Sequence, residues 1–130
     1  MLLRRRKKRI LVADDDEDFL RVARAILEHY GFTIDTAENG EEALKAIRKR
    51  KYDLLVLDVV MPKIDGIKLF RMVRKSKRYS KIPVLFISGR ASKEEVEEER
   101  WKIIKKAEGY VKKPIKTKAF METVKMLIEK

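Results

Sequence analysis

The feature that most constrains the fold is an unbroken apolar segment, residues 54–57, that ends on a carboxylate, Asp58. A run of leucine and valine of this length is typical of a strand buried on both faces, as in the middle of a parallel sheet. Met61-Pro62 follows, and because proline cannot donate to a strand ladder, the chain has to leave the sheet there. Asp58 is therefore predicted to lie at the carboxyl edge of a central strand, where open α/β sheets place their chemistry.

The order strand then helix repeats five times along the chain. Predicted strands cover residues 10–13, 32–36, 54–57, 83–87 and 109–112, and a helical pattern follows each of them. This alternation predicts a single α/β domain, a doubly wound five-stranded parallel sheet with helices on both faces. We expect the helices to begin at Asp16, at Asn39 or Gly40, at Asp65, at Ser92 (running to Ala107) and at Thr117 as a cap.

Length and composition limit the chain to one globular domain. The chain has 130 residues, of which 45% are hydrophobic and 42% charged, and it has no cysteine. The hydrophobic fraction supports a folded core, and the absence of cysteine excludes disulfides. High charge is thermophile-like, and a designed sequence would show the same bias. No apolar run approaches membrane-spanning length, so we expect a soluble cytoplasmic protein without membrane insertion.

A basic segment precedes the first strand. Six consecutive cations, Arg4 to Arg9, supply half of the net charge of +12. We interpret residues 1–8 as a solvated N-terminal arm and residues 9–130 as the folded domain. The alternative is an electrostatic contact to nucleic acid or an acidic membrane. No aromatic residues interleave with the cations, which is weak support for specific nucleic-acid binding.

Polar residues at the strand ends form the candidate site. In a parallel sheet the carboxyl ends meet at one edge, which would bring together Asp14, Asp15, Asp58, Ser88 and Lys113. Clustered carboxylates repel one another, and a divalent cation removes that conflict. Magnesium prefers oxygen ligands and bridges carboxylates to phosphate, whereas no nearby histidine suggests zinc.

Within this site an aspartate can accept a phosphoryl group as an acyl phosphate, so Asp58 is either that nucleophile or a metal ligand. Lys113 can pair with a phosphoryl oxygen, Ser88 can donate to it, and Gly89 leaves the approach open. Taken singly, the acids could be helix caps and Lys113 a solvated side chain.

Four motifs, residues 10–17, 53–66, 83–88 and 109–114, together resemble the signature of response-regulator receiver domains over essentially the whole chain after the arm. The resemblance implies the flavodoxin-like strand order 2-1-3-4-5. It also implies a phosphoacceptor signalling switch, in which Asp58 receives a phosphoryl group from a histidine kinase or a phosphotransfer protein.

The resemblance further implies roles for individual residues. Asp15, Asp58 and the backbone carbonyl of Val60 would bind Mg²⁺, with Mn²⁺ as an alternative, and Asp14 would act largely through water. Ser88 and Lys113 would contact the bound phosphoryl group.

Tyr110 matches the aromatic switch of the family, whose ring turns inward as Ser88 moves toward the phosphate. Val60, Gly89 and Arg90 occupy positions that tune hydrolysis of the acyl phosphate. Because Val60 is apolar and does little to position water, we expect a long-lived phosphorylated form.

The sequence departs from the family pattern in three ways. Ser88 replaces the commoner threonine, the chain is strongly basic, and the interval from Ser88 to Lys113 is longer by about one helical turn. The extra turn falls in the fourth helix, where Trp101 lies off the apolar stripe. Trp101 either covers its own helix or anchors a partner. The expected partner surface, for a downstream protein or a homodimer, is formed by the fourth and fifth helices.

Two other functions compete with the signalling switch. A magnesium-dependent phosphohydrolase usually needs a second aspartate two residues after the nucleophile, and Val60 stands there. A receiver-like binding module that is never phosphorylated would not need the complete acidic set or Lys113. We therefore expect no enzymatic activity beyond self-catalysed phosphoryl acceptance and autodephosphorylation, in a stand-alone or excised receiver domain with no output domain after it.

Overall fold

Strands and helices alternate along the chain, as the sequence pattern predicts. The computed structural model describes residues 7–89 and 96–129. In chain order the elements are β1 (Arg9–Ala13), α1 (Glu17–His29), β2 (Thr33–Ala37), α2 (Gly40–Lys49), β3 (Leu54–Asp58), α3 (Gly66–Lys75), β4 (Val84–Ser88), α4 (Glu98–Ile104), β5 (Gly109–Lys112) and α5 (Thr117–Ile128).

The five strands form one parallel sheet in the order β2-β1-β3-β4-β5. This confirms the predicted order 2-1-3-4-5. β3 lies in the centre, and all five of its residues are buried. The apolar run 54–57 is therefore continuous because both of its faces are covered, with no solvent-facing position to carry a polar residue.

Strand side chains alternate between two apolar layers. Leu55, Leu57 and Phe86 pack with α2, α3 and α4 on one face of the sheet. Val56 and Leu85 pack with α1 and α5 on the other face. The alternation follows from the two-residue period of a strand, and it places helices on both faces as predicted.

Side-chain caps fix three helix starts close to the functional edge. The carboxylate of Asp16 accepts hydrogen bonds from Asp18 N and Phe19 N, and Asn39 Oδ1 accepts one from Glu42 N at 2.9 Å. Asp65 Oδ1 accepts from Lys68 N at 2.8 Å. These contacts satisfy backbone donors that have no partner inside a helix, and they confirm the three predicted starts.

Several predicted boundaries were wrong. Lys116, not Thr117, occupies the cap of α5, and its side chain makes no capping hydrogen bond. Among the described residues the fourth helix covers Glu98–Ile104, and residues 96–97 and 105–107 are not helical. Residues 92–95 of the predicted helix lie outside the described part of the chain. β2 (Thr33–Ala37) and β4 (Val84–Ser88) each lie one residue later than predicted, and Ala37 pairs with Ala13 of β1. Among the described helices, none is both long and apolar enough to cross a membrane.

Candidate functional site

Asp58 is held at the carboxyl edge by a tight loop between β3 and α3. Gly66 N donates to Val59 O at 2.9 Å, which folds the start of α3 back onto the strand end. A Cβ atom on Gly66 would lie 2.0 Å from the carbonyl oxygen of Asp58, so only glycine fits this approach. The loop thus places Asp58 by a backbone contact that the sequence motif Asp65-Gly66 encodes.

Three carboxylates converge at this edge, as predicted. Asp14, Asp15 and Asp58 each offer one oxygen, and these atoms lie within 4.8 Å of one another. Asp14 is fully buried (0%), Asp58 is 7% exposed, and Asp15 is exposed to solvent. The cluster therefore has a dry inner wall and one side open to incoming ligands.

Lys113 provides the positive charge of the site. Its Nζ lies 2.6 Å from Asp14 Oδ2 and 3.8 Å from Asp58 Oδ2, and 4.5 Å from the centre of the Phe19 ring. Lys113 N donates to Ser88 O at 2.8 Å, and the following peptide bond to Pro114 is cis. The ammonium group is thus directed inward over the strand ends.

One ammonium does not balance this set of carboxylates. Burial and the neighbouring charge of Asp14 raise the pKa of Asp58 from 3.8 to about 7, although Lys113 acts in the opposite direction. Val60 N also donates to Asp58 Oδ1, at 3.4 Å. The ionised form of Asp58 therefore lacks sufficient stabilisation from the protein groups alone.

The donor set fits a hard divalent cation. All of the converging side-chain atoms are carboxylate oxygens, the ligands that magnesium prefers. Asp14 Oδ1 accepts from Asp16 N at 2.9 Å, whereas Asp14 Oδ2 is buried and accepts no hydrogen bond of ordinary geometry from the described residues. The Lys113 ammonium is near that oxygen but does not meet such geometry. A buried carboxylate oxygen that accepts no hydrogen bond is the kind of group that a bound cation stabilises.

Ser88 and Tyr110 occupy neighbouring strands. Ser88 ends β4 and is buried, one residue beyond the pairing of Ile87 with Val111. Tyr110 in β5 is half-buried, and its ring meets the ring of Trp101 edge-on at a centroid distance of 5.2 Å. The side chain of Trp101 is partly buried and packs against the core and against Tyr110, a contact that neither alternative included.

Two of the remaining predicted residues, Val60 and Gly89, lie at the mouth of the site. Val60 is 53% exposed, and Gly89 is exposed with open space where a Cβ atom would stand. Arg90 lies outside the described residues. Sequence reasoning missed the ion pair of Arg100 with Asp65, whose nearest atoms are 3.2 Å apart, and the position of Phe19 beneath Lys113. No local pattern signals either contact, since both join segments distant in sequence.

Comparison with known proteins agrees with this geometry. Residues 10–125 match the family described as response regulator receiver domain. The phosphate regulon transcriptional regulatory protein PhoB of Rhizobium meliloti is 35% identical over 116 residues, which is 88% of this chain and 50% of that protein.

Solved structures show the same similarity. The chemotaxis response regulator CheY4 of Vibrio cholerae has a TM-score of 0.84 at 25% identity, covering 94% of this chain and 99% of that one. A putative response regulator from Chloroflexus aurantiacus has a TM-score of 0.85 at 27% identity, covering 96% and 100%.

The chain belongs to the response regulator receiver domain family of two-component systems. Receiver domains are signalling switches rather than enzymes in the usual sense, and response regulators act with histidine kinases. The chain spans about half the length of the curated relatives it matches.

Proposed function

We propose that Asp58 is the residue that accepts the phosphoryl group and that the acidic cluster around it binds Mg²⁺. The observation that carries this proposal is the position of Asp58, buried at the end of the central strand, with two further carboxylates and the Lys113 ammonium within reach. Asp15, Asp58 and the carbonyl of Val60 would hold the cation directly, and Asp14 largely through water. Mn²⁺ has the same preference for oxygen and could replace it.

The reaction transfers one phosphoryl group between two proteins. A carboxylate oxygen of Asp58 attacks the phosphorus of a phosphohistidine on a kinase or phosphotransfer protein. The P–N bond breaks, its electron pair stays on the imidazole, and an acyl phosphate forms on Asp58. When bound, the cation neutralises phosphoryl and carboxylate charge, so that the anionic phosphoryl group can approach the ionised nucleophile.

The residues of the chain stabilise the product. Lys113 exchanges part of its contact with Asp14 for a phosphoryl oxygen, to which it donates as a compact point charge. Ser88 donates a hydrogen bond to another phosphoryl oxygen. Ser88 ends β4 two residues beyond Phe86, the register partner of Tyr110 in β5, so its displacement biases the Tyr110 ring and the surface of α4 and α5. That surface would then contact a downstream protein or a second copy.

Loss of the phosphoryl group by autodephosphorylation is expected to be slow. Val60, Gly89 and Arg90 are the residues proposed to tune it, and the half-exposed apolar side chain of Val60 offers no hydrogen bond to an attacking water. We expect a phosphorylated form that persists for minutes or longer. A lifetime of seconds in the purified protein would contradict this expectation.

Intact mass measurement tests the proposal. The chain is incubated with Mg²⁺ and a small acyl phosphate donor, and a gain of one phosphoryl group is expected. Asp58→Asn should show no gain, whereas Asp53→Asn, which changes the other end of the same strand segment, should retain it. Asp15→Asn should need a higher Mg²⁺ concentration for the same yield. No adduct with the donor or with any kinase would favour a receiver-like binding module.

The proposed domain boundary and location remain predictions. Residues 9–130 would form the receiver domain behind a basic arm, residues 1–8, in a cytoplasmic protein. Lys7 and Lys8, the described part of the arm, are exposed.

Gel filtration of the phosphorylated and unphosphorylated forms would test whether phosphorylation produces the proposed homodimer.

A further inference from the structure

Basic side chains are concentrated at the edge of the sheet opposite Asp58, where the strands begin. Four described segments lie at this amino edge: residues 7–9, 49–53, 75–81 and 105–108. Together they contain twelve lysine and arginine residues and two acids, Asp53 and Glu108. We refer to these four segments as the basic rim.

Backbone hydrogen bonds hold the rim segments side by side. Thr33 N donates to Lys8 O at 2.9 Å, and Asp53 N donates to Arg9 O at 2.8 Å. Just beyond the rim, Leu55 N donates to Pro83 O at 3.0 Å, and Glu108 N in the fourth segment donates to Val84 O at 3.1 Å. Parallel strands are about 4.8 Å apart, so the segments form one continuous surface and not four separate patches.

Five lysines of the rim are available, whereas Arg9 and Arg50 pair with Asp35 and the two acids of the rim are already engaged. Lys75, Lys77 and Lys81 are exposed and form no ion pair with any described residue, and Lys105 and Lys106 share both properties.

Asp53 accepts a hydrogen bond from Arg9 N at 2.8 Å. Glu108 pairs with Arg74 and also accepts from Val84 N at 2.7 Å. The charge of the rim is therefore not neutralised by its own acids.

A groove beside the edge strand β2 extends the basic surface. It has a volume of about 410 Å³, and its lining includes Arg24, Lys45, Lys49 and Arg50. The lining also contains two acids. Asp35 pairs with Arg9 at 3.0 Å and with Arg50 at 3.9 Å and accepts from the Tyr52 hydroxyl at 2.7 Å, and Glu42 accepts from Glu38 N at 3.1 Å. Lys49 and Arg50 belong to both surfaces, so the groove and the rim are contiguous.

We propose that the basic rim and this groove bind the phosphate backbone of duplex nucleic acid without reading its base sequence. A surface of flexible lysines with few local acids raises the local concentration of a polyanion. The release of counterions from that polyanion then drives binding. Opposed to it, the carboxyl edge carries the acids at residues 14–18 and 38–42 together with a smaller number of lysines, so among the described residues the excess of positive charge lies at the rim.

The composition of the rim favours duplex nucleic acid over two other anionic partners. The described large apolar residues that are exposed, Val22, Tyr30, Val60 and Met126, all lie outside the four rim segments. A surface that inserts into a membrane adds apolar side chains to its cations, and a single-strand site adds exposed aromatics for stacking. The rim combines its cations with no exposed large apolar or aromatic side chain, which suits a row of phosphates.

The rim lies away from the phosphorylation site. The strands that separate the two edges are four or five residues long, roughly 15 Å at 3.3 Å per residue. Nucleic-acid binding and acceptance of a phosphoryl group therefore use different residues and can be measured independently in the same protein.

The test compares two triple variants of the full chain. Lys75, Lys77 and Lys81 are changed to glutamine in the rim variant, and Lys68, Lys116 and Lys118 in a control of equal charge at the other edge. Binding to a fluorescent duplex of arbitrary sequence is measured by anisotropy at several salt concentrations. Each lost phosphate contact lowers the salt slope by about one, so we expect the rim variant to lose about three.

We also expect the rim variant to bind at least about tenfold more weakly at about 0.1 M salt, with the control close to the native chain. Equal losses in both variants would show an effect of net charge alone and overturn the proposal. Unchanged binding in the rim variant would assign the affinity to other residues and would also overturn the proposal. Tighter retention on phosphatidylserine vesicles than on the duplex at equal salt would assign the surface to membranes and also overturn it.

Discussion

Lys113 Nζ lies 2.6 Å from Asp14 Oδ2, and Asp14 is fully buried. The ammonium is farther from Asp58, at 3.8 Å. In the absence of a cation and a phosphoryl group, Lys113 therefore serves chiefly as the counter-charge of Asp14. Its removal leaves a buried carboxylate without compensation, which is a costly arrangement in a protein interior.

We predict that Lys113→Met lowers the free energy of unfolding by about 3 kcal/mol in metal-free buffer, because it breaks a buried ion pair on one side. Adding Mg²⁺ should recover part of the loss, since the cation replaces the missing charge. Denaturant titrations with EDTA and with Mg²⁺ measure both effects. Lys112→Met, at the exposed neighbouring position, is the control, and an equal result in the two variants would contradict the prediction.

The pKa of Asp58 gives a second prediction, for metal-free protein. Burial raises this pKa from 3.8 to about 7 in the folded state. Between about pH 4 and pH 7 the unfolded chain releases this proton while the folded chain retains it, so stability falls as the pH rises through that window. Asp58→Asn has no titratable carboxyl group at this position and therefore does not lose this stability.

Asp58→Asn should therefore gain stability relative to the native chain as the pH rises from about 4 to 7, and the difference should level off above that range. Urea midpoints at several pH values in EDTA measure it. Saturating Mg²⁺ serves as the control, because a cation favours the ionised carboxylate and should shrink the advantage. A difference that stays constant from pH 4 to pH 8 would show that the Asp58 pKa is not raised.

The loop that carries Asp58 gives a third prediction. A Cβ atom on Gly66 would lie 2.0 Å from the carbonyl oxygen of Asp58, and the nearby backbone cannot move aside without displacing the strand end. We expect Gly66→Ala to destabilise the protein by about 3 kcal/mol, at the upper end of overpacking effects. Gly89→Ala, whose Cβ atom meets nothing within 4 Å, should change stability by less than about 0.5 kcal/mol. Thermal unfolding of the two variants provides the comparison, and similar melting temperatures would refute the steric argument.

Much of the fold could be predicted because its signals are local. An uninterrupted apolar run indicates a doubly covered strand, and Asp16, Asn39 and Asp65 indicate helix starts by their own capping chemistry. The convergence of Asp14, Asp15 and Asp58 follows from topology alone, since parallel strands end at one edge. These features require no knowledge of which side chains meet across the molecule.

The features that were mispredicted or missed depend on contacts between distant segments. Thr117 has the right side chain for a cap, yet it is the first helical residue of α5, and Lys116 takes the cap position without a side-chain hydrogen bond. The rim charges likewise appear in the sequence as scattered lysines. Only the register of β1, β3, β4 and β5 brings them onto one surface.

Trp101 gives the last prediction, because it is the single tryptophan of the chain and its ring meets Tyr110 edge-on at 5.2 Å. If phosphorylation turns the Tyr110 ring inward, Trp101 loses this contact and gains exposure to water. We therefore expect a red shift of its emission on adding Mg²⁺ and a small acyl phosphate. Asp58→Asn should show no shift, and Tyr110→Leu should show a smaller one although it still gains the phosphoryl mass. An unchanged spectrum in protein verified as phosphorylated would mean that Tyr110 stays against Trp101, and the conformational change would have to take another route.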